Sequence, residues 1–581
     1  MECRHGRRAP YLRVGAFVIW NLFSLAAYAG ATIIDRAAQE QLLQQERERQ
    51  LREQQEISPD VRIPNPASPP ELLVYPDSES PCFTISSVSL IGESAAEFQF
   101  ALSSVTDGND SAIGRCLGAQ GINVAMSRIQ NAIIARGFVT TRVLAAPQDL
   151  NSSLLQLTVI PGRVRKIHFA EGVSVRATKW NAIPVQRGDI LNLRDIEQGL
   201  ENFKRVPTTE VDIQIEPAEG PDAKPGESDV IIQYQQRFPF RLTISADDAG
   251  FDSTGKYQAG VTLSGDNLLM LNDLFYVNYN HDQGGGESGK RGSDGQTIHY
   301  SFPVGYWLFG FTTSSYDYHQ VVSGINQSYT YSGRSENSDV KASRLIYRNA
   351  INKTYLSFRG FFRKSSNYIN DTEIEVQKRR TAGWELGFRQ TWYLGQSLLD
   401  YKLAYKRGTG AMNALKAPEE SFDEGTSRME ILTADLGFDL PFSVKAPWGE
   451  QALRYSTQFR GQYNFTPLTP QDRLSIGNRY TVRGFDGQWT LSADNGWFLR
   501  NEMSALIANT GQAVYWGLDY GEVGGQSSDL LLGKQLAGIV MGLRGGFGGF
   551  SYDLFVGKAL KKPKGFETAS TTVGFNLNLT F

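Results

Sequence analysis

The chain ends on Thr571-Thr572-Val573-Gly574-Phe575-Asn576-Leu577-Asn578-Leu579-Thr580-Phe581. Val573, Phe575, Leu577, Leu579 and Phe581 are apolar, and Gly574, Asn576, Asn578 and Thr580 between them are small or polar. A strict period of two gives an extended strand one apolar and one polar face. A chain ending on an aromatic residue in this pattern looks like the closing strand of a bacterial outer-membrane barrel, with lipid on one side and a wet lumen on the other.

The alternation runs back through 237–581. Phe240, Leu242, Ile244 and Ala246 oppose Arg241, Thr243, Ser245 and Asp247; Leu399, Tyr401, Leu403 and Tyr405 oppose Asp400, Lys402, Ala404 and Lys406; Leu432, Ala434, Leu436, Phe438 and Leu440 oppose Thr433, Asp435, Gly437 and Asp439. A soluble sandwich alternates too, but with shorter strands. Runs of about ten residues match a tilted membrane crossing. At ~20 residues per strand and turn, 237–581 accommodates about 16 antiparallel strands. Connections such as His281–Gly295 are too polar for lipid and are expected outside it. Function narrows to transport, insertion or adhesion.

Composition agrees. Gly is abundant at 58 residues and aromatics reach 11%. A mean hydropathy of −0.32 does not argue against a barrel, since only alternate residues meet lipid. Residues 1–29 read as a secretory leader: Arg4, Arg7, Arg8 and Arg13, then an apolar stretch from Val14 to Ala27, then Ala27-Tyr28-Ala29 as cleavage site. Beyond it no apolar run is long enough for a spanning helix. Formal charge is −3, and more negative without the leader, so nothing suggests a nucleic-acid binder. Cys82 and Cys116 remain as an even pair in an oxidising compartment, which predicts a disulfide. The five His, at 5, 168, 281, 299 and 319, stand at no metal-ligand spacing to them. No metal, no cofactor and no catalytic cluster is expected.

Residues 30–56 predict a helix. Thr32-Ile33-Ile34-Asp35 resembles a capping box, the body is rich in Gln, Glu, Arg, Ala and Leu, and Glu48 and Arg52 stand at pairing distance. Its apolar stripe is broken, so it suits water or a polar channel; composition alone leaves open a solvated spacer. Residues 57–81 carry seven prolines and form a semi-extended linker. Two α+β units follow, at 82–162 and 163–236, as an internal repeat. The first reads as strand Cys82–Leu90, helices Ala95–Val105 and Val124–Arg136, and strands Phe138–Leu144 and Leu154–Val159. The second reads as strand Val164–Phe169, a short helix near Ala177–Asn181, a helix Leu193–Arg205 capped by Asn192 with Ile196, Leu200 and Phe203 inward, and strands Val211–Ile215 and Val230–Tyr234.

Two motifs stand out. Gly284 to Arg291 superficially resembles a phosphate loop, but Arg291 replaces the required Ser or Thr and no strand and helix bracket it. A solvent loop is the better reading. Val482-Arg483-Gly484-Phe485 lies in a long connection, about 466–495, of a kind that is usually functional. By parity Asp519 points into the lumen on a face cleared by Gly517 and Gly521. A loop folded inward would dock Arg483 on that carboxylate through two parallel bonds. The residues alone also allow a solvated loop cation and an ordinary lumen carboxylate.

Together these features resemble the outer-membrane transporters of two-partner secretion, the TpsB group of the Omp85 superfamily. The chain is similar to exporters of haemolysin, filamentous haemagglutinin and contact-dependent inhibition toxins. The likeness spans nearly the whole chain beyond the leader: helix, Pro-rich linker, two POTRA units, barrel. It rests on Val482-Arg483-Gly484-Phe485, on Gly517-Leu518-Asp519-Tyr520-Gly521 (the family often has an aromatic first), on Gly121-Ile122 through Thr140-Thr141-Arg142-Val143, and on Val159-Ile160-Pro161-Gly162. The resemblance implies a monomeric, ATP-independent pore that is not an enzyme and exports one unfolded cognate exoprotein. It implies POTRA capture of that partner, through a groove between Val124–Arg136 and Phe138–Leu144, and a lumen plugged by 30–56. It also implies an Arg483–Asp519 latch supported by Val482, Gly484, Phe485 and Gly521, and Phe581 as the signal to the barrel-assembly machinery that inserts the chain into outer-membrane lipid.

Overall fold

A computed structural model describes residues 36–56, 59–64, 73–174, 176–324, 326–508 and 510–581. The leader, the Thr32–Asp35 capping sequence and parts of the linker lie outside the described residues.

Sixteen long strands, from Phe240–Asp247 to Thr572–Thr580, form a closed antiparallel barrel; the two-residue strand Thr372–Glu373 only extends one hairpin beyond it. The terminal strand closes the cylinder on the first, with Leu577 opposite Ala246 and Leu579 opposite Ile244. Phe581 adds a last rung, donating its N–H to the Leu242 carbonyl at 2.9 Å. The period-two pattern has the expected outcome. Trp516, Leu518 and Val573 are exposed on the outside, while Tyr515 and Asp519 are buried within. The connection expected over His281–Gly295 is shorter, because strands Leu274–Asp282 and Gly292–Val304 continue past the apolar belt.

The two α+β units share one topology. In the first, Leu154–Ile160 lies between a parallel Ser87–Ile91 and an antiparallel Arg142–Leu144. In the second, Glu227–Gln236 lies between a parallel Arg163–Phe169 and an antiparallel Thr209–Pro217. Phe98, Ile129, Ile133, Leu155 and Leu157 are fully buried in the first core.

Three local readings need correction. The helix expected at Val124 begins at Ala119 and runs to Ala135, because Glu79 reaches across to accept the N–H groups of Gly118, Gln120 and Gly121. A carboxylate there satisfies orphan donors and the helix dipole together. The strand expected over Phe138–Leu144 is confined to Arg142–Leu144; the chain turns after Gly137, and Phe138 packs edge-on against Phe98. No helix forms at Ala177–Asn181. Asn181 instead donates to the Leu271 and Pro303 carbonyls of the barrel rim, which holds this stretch irregular.

Cys82 and Cys116 are joined by a disulfide beside the short ladder that pairs Thr84 with Cys116. At a sequence separation of 34, the bond contributes ~3–4 kcal/mol in the chain-entropy account. Cys82→Ser is expected to make this unit unfold earlier, read by limited proteolysis along a urea series, without changing channel conductance. Unaltered protection would show the bond to be dispensable.

Candidate functional site

The site is the lumen, and two segments fill it. The first is a helix over 36–55, here α1, with the helix Ala119–Ala135 of the first α+β unit as α2. At 1.5 Å per residue it is about 30 Å long, the thickness of a hydrocarbon core. Its polar circumference is used on the wall. Glu40 accepts hydrogen bonds from Thr254 and Tyr316, and Arg47 donates to Gln258 and Asp247. Gln55 accepts from Ser264, and Glu46 pairs with Arg460 on the opposite side. Glu48 and Arg52, expected to pair with each other, reach outward instead. Glu48 accepts from Ser314, and Arg52 donates to Thr312 and lies 3.5 Å from Asp339. Ala37 is buried against Tyr316, Tyr318 and Tyr331. A cavity of about 390 Å³ remains beside the helix, lined by Lys341, Arg359, Lys402, Lys406, Glu385 and Asp435 among others.

The second segment is the connection between strands Gly449–Asn464 and Asn495–Ile507. It turns into the barrel as a small hairpin, Leu474–Ile476 paired with Leu491–Ala493. Apolar residues hold it there: Leu474, Ile476, Val482, Phe485 and Leu491 are buried with Phe498, Val523, Leu536 and Phe566. Asp494 anchors the base by accepting from the Ser527 N–H and hydroxyl and the Leu468 N–H.

At the tip, Arg483 Nε lies 2.7 Å from Asp519 Oδ2 and Nη2 lies 2.9 Å from Oδ1. The Arg483 N–H also donates to Oδ2, at 3.0 Å. Nη1 is 2.6 Å from Glu502 Oε2, and Asp519 is fully buried. This planar, charge-assisted pairing is the strong form of the contact.

The approach is close because the wall lacks side chains. A Cβ on Gly517 would lie 2.4 Å from Arg483 Nη2, and one on Gly521 would lie 2.8 Å from Val482 Cγ2. One on Gly538 would meet the Arg483 carbonyl at 1.9 Å, and one on Gly557 would meet the Gly484 Cα at 2.9 Å. Gly484 itself has φ +94°, a conformation open to glycine at little cost. Phe485 packs edge-on against Phe566. Arg479 donates to Asp248, just after the first strand, and to the Phe575 carbonyl of the last. The loop thus stitches the barrel seam from inside.

Every latch residue named from the sequence, Val482, Arg483, Gly484, Phe485, Asp519 and Gly521, lies in this one contact region. Glu502, Gly538, Gly557 and Phe566 were missed. They sit on other strands or loops, and only the register of Asn495–Ile507, Gln535–Phe547 and Phe550–Lys561 brings them to the loop.

Residues 226–545 match the family model of haemolysin secretion/activation proteins ShlB/FhaC/HecB. The chain belongs to that family. Residues 83–162 match a ShlB-type POTRA domain and 163–217 a second POTRA domain. The outer membrane transporter CdiB-2 of Burkholderia pseudomallei is 37% identical over 94% of each chain. The hemolysin transporter protein ShlB of Serratia marcescens is 26% identical over 80% of this chain and 77% of its own. The solved structure of CdiB from Acinetobacter baumannii superposes with a TM-score of 0.81 at 32% identity, covering 94% of this chain and 99% of that one. As a ShlB/FhaC/HecB protein, this chain is a transporter rather than an enzyme. It sits in the outer membrane with its POTRA domains in the periplasm and exports an unfolded exoprotein without ATP. Membership implies a TpsA-type exoprotein partner and insertion assisted by the barrel-assembly machinery.

Proposed function

We propose that the partner is a contact-dependent inhibition exoprotein, captured by the POTRA domains, and that the structure is the closed resting state of its export pore. Similarity to CdiB-2 along nearly the whole length of both chains favours this class of partner. Capture through a POTRA strand edge is physically reasonable, since among the described residues Arg142–Leu144 pairs with a strand on one side only; an added strand would displace the Gln130 side chain that now accepts from the Val143 N–H. The observation that carries the closed state is the lumen itself, occupied along its length by α1 and beside it by the loop latched through Arg483 and Asp519. Folding of the partner outside the cell, worth ~5–15 kcal/mol per domain, keeps exported segments from slipping back.

Co-expression with a contact-dependent inhibition exoprotein tests the reading. Surface display of that exoprotein is expected only in cells carrying the transporter. Export of a haemolysin-type exoprotein in its place, or no display of either, would overturn the assignment of partner.

A further inference from the structure

The polar face of the POTRA helix Leu193–Lys204, here α3, is buried although its sequence is amphipathic. It lies under the barrel rim. Arg205 donates to the Asn272 carbonyl and the Ser301 hydroxyl, and Asn202 donates to the Gly305 carbonyl. Between α3 and the rim lies linker segment 59–64. Its backbone makes three hydrogen bonds to charged side chains. The Val61 N–H donates to Glu201 Oε1 at 2.9 Å and the Ile63 N–H donates to Glu197 Oε1 at 2.8 Å. The Val61 carbonyl accepts from Arg348.

Arg348 also pairs with both glutamates, and Lys353 bridges Glu201 and Asp60. Glu197, Arg348 and Lys353 are almost wholly buried. The spacing has a geometric basis. Glu197 and Glu201 are one helical turn apart, about 6 Å along the axis. Alternate N–H groups of an extended chain repeat about every 6.6 Å. The pair therefore reads an extended backbone whatever its sequence. The side chains of Val61 and Ile63 add apolar contact with the second POTRA core.

We propose that this slot is a binding site for the exported chain, taken in extended form with apolar residues at alternate positions, and that 59–64 occupies it only in the resting state. The inference rests on the exporter reading for the identity of the incoming chain. Three observations favour that occupant over a purely structural anchor. The slot sits at the rim where a periplasmic chain enters the lumen. Glu197, Glu201 and Arg348 engage main-chain groups, which an unfolded polypeptide always offers. Its present occupant follows α1 almost directly, since the helix ends at 55 and the bound segment begins at 59. A chain that takes the slot therefore dislodges the segment tethered to the plug. The tether keeps 59–64 at an effective concentration near millimolar, so only a chain already held at the POTRA domains competes.

Proline substitution at Val61 and Ile63 removes both N–H donors while keeping an extended, apolar segment. In the full-length V61P/I63P protein in detergent, a synthetic peptide copying residues 57–66 is the probe. Its N-methylated version, blocked at the amides corresponding to Val61 and Ile63, is expected to bind at least about ten-fold more weakly by fluorescence anisotropy. Equal binding, or none by either peptide, overturns the slot. In cells, V61P/I63P is expected to open more often and still export. Glu197→Leu with Glu201→Leu is expected to open as often but to lose export at least about ten-fold, at equal amounts of heat-modifiable barrel. Equal export by the two variants would reduce the slot to a linker anchor. Failure of the wild type to export any exoprotein would sink the partner assignment, while the peptide arm would still report on the slot.

Discussion

Arg483→Ala is expected to abolish detectable export while the barrel still inserts. The guanidinium makes both parallel bonds to Asp519 and a third contact to Glu502. Its removal leaves a fully buried carboxylate still accepting from the backbone N–H of residue 483. Breaking a buried pair in this way costs ~3–5 kcal/mol, which frees the loop tip from the wall and leaves the apolar cluster, the Arg479 contacts and the Asp494 anchor as its hold. Barrel closure depends on main-chain ladders in which Arg483 takes no part, so heat-modifiable mobility should persist. Arg483→Lys should fall between, because an ammonium cannot make the two-pronged contact. The measurement is surface exoprotein per unit of inserted transporter; export at the wild-type level would remove the latch from the mechanism.

Deleting residues 32–56 should raise single-channel conductance by roughly an order of magnitude, since a helix with its side chains has a diameter of ~10–12 Å. Helix α1 spans the lumen and is held by side-chain contacts to several strands. Those contacts are polar and therefore reversible in a wet interior, where each nets only ~0.5–1.5 kcal/mol. A helix held this way is able to leave without solvation cost to an apolar face. Unchanged conductance in planar bilayers would show that the loop alone sets the pore. The Arg483 latch and the helix contact different wall residues, so the double variant should conduct more than either single one.

Much of this was legible along the chain. The strand pattern is local: lipid demands apolar residues at every second position, and Trp516, Leu518 and Tyr520 carry that signal without reference to any neighbour. The Arg483–Asp519 contact was legible too, because parity aims Asp519 inward and the glycines at 517 and 521 clear its face. Legibility stopped where partners belong to distant strands. Gly538 and Gly557 look like any barrel glycine until register places them under the Arg483 carbonyl and the Gly484 Cα. Helix Ala119–Ala135 started early because Glu79, 39 residues before Gly118, supplies its cap.

The sequence by itself determined the crossing pattern, the order of the parts, the cysteine pair and the polar character of α1, since each of these is set by periodicity or composition within a short window. Only the tertiary structure decided that the polar face of α3 is buried. Glu197 and Glu201 lie outside the inward stripe of Ile196, Leu200 and Phe203. They became interior groups because the barrel rim brings Arg348 and Lys353 to them and the linker lays its own N–H groups between. Burial of a charge depends on what arrives to compensate it, and no local window contains that partner.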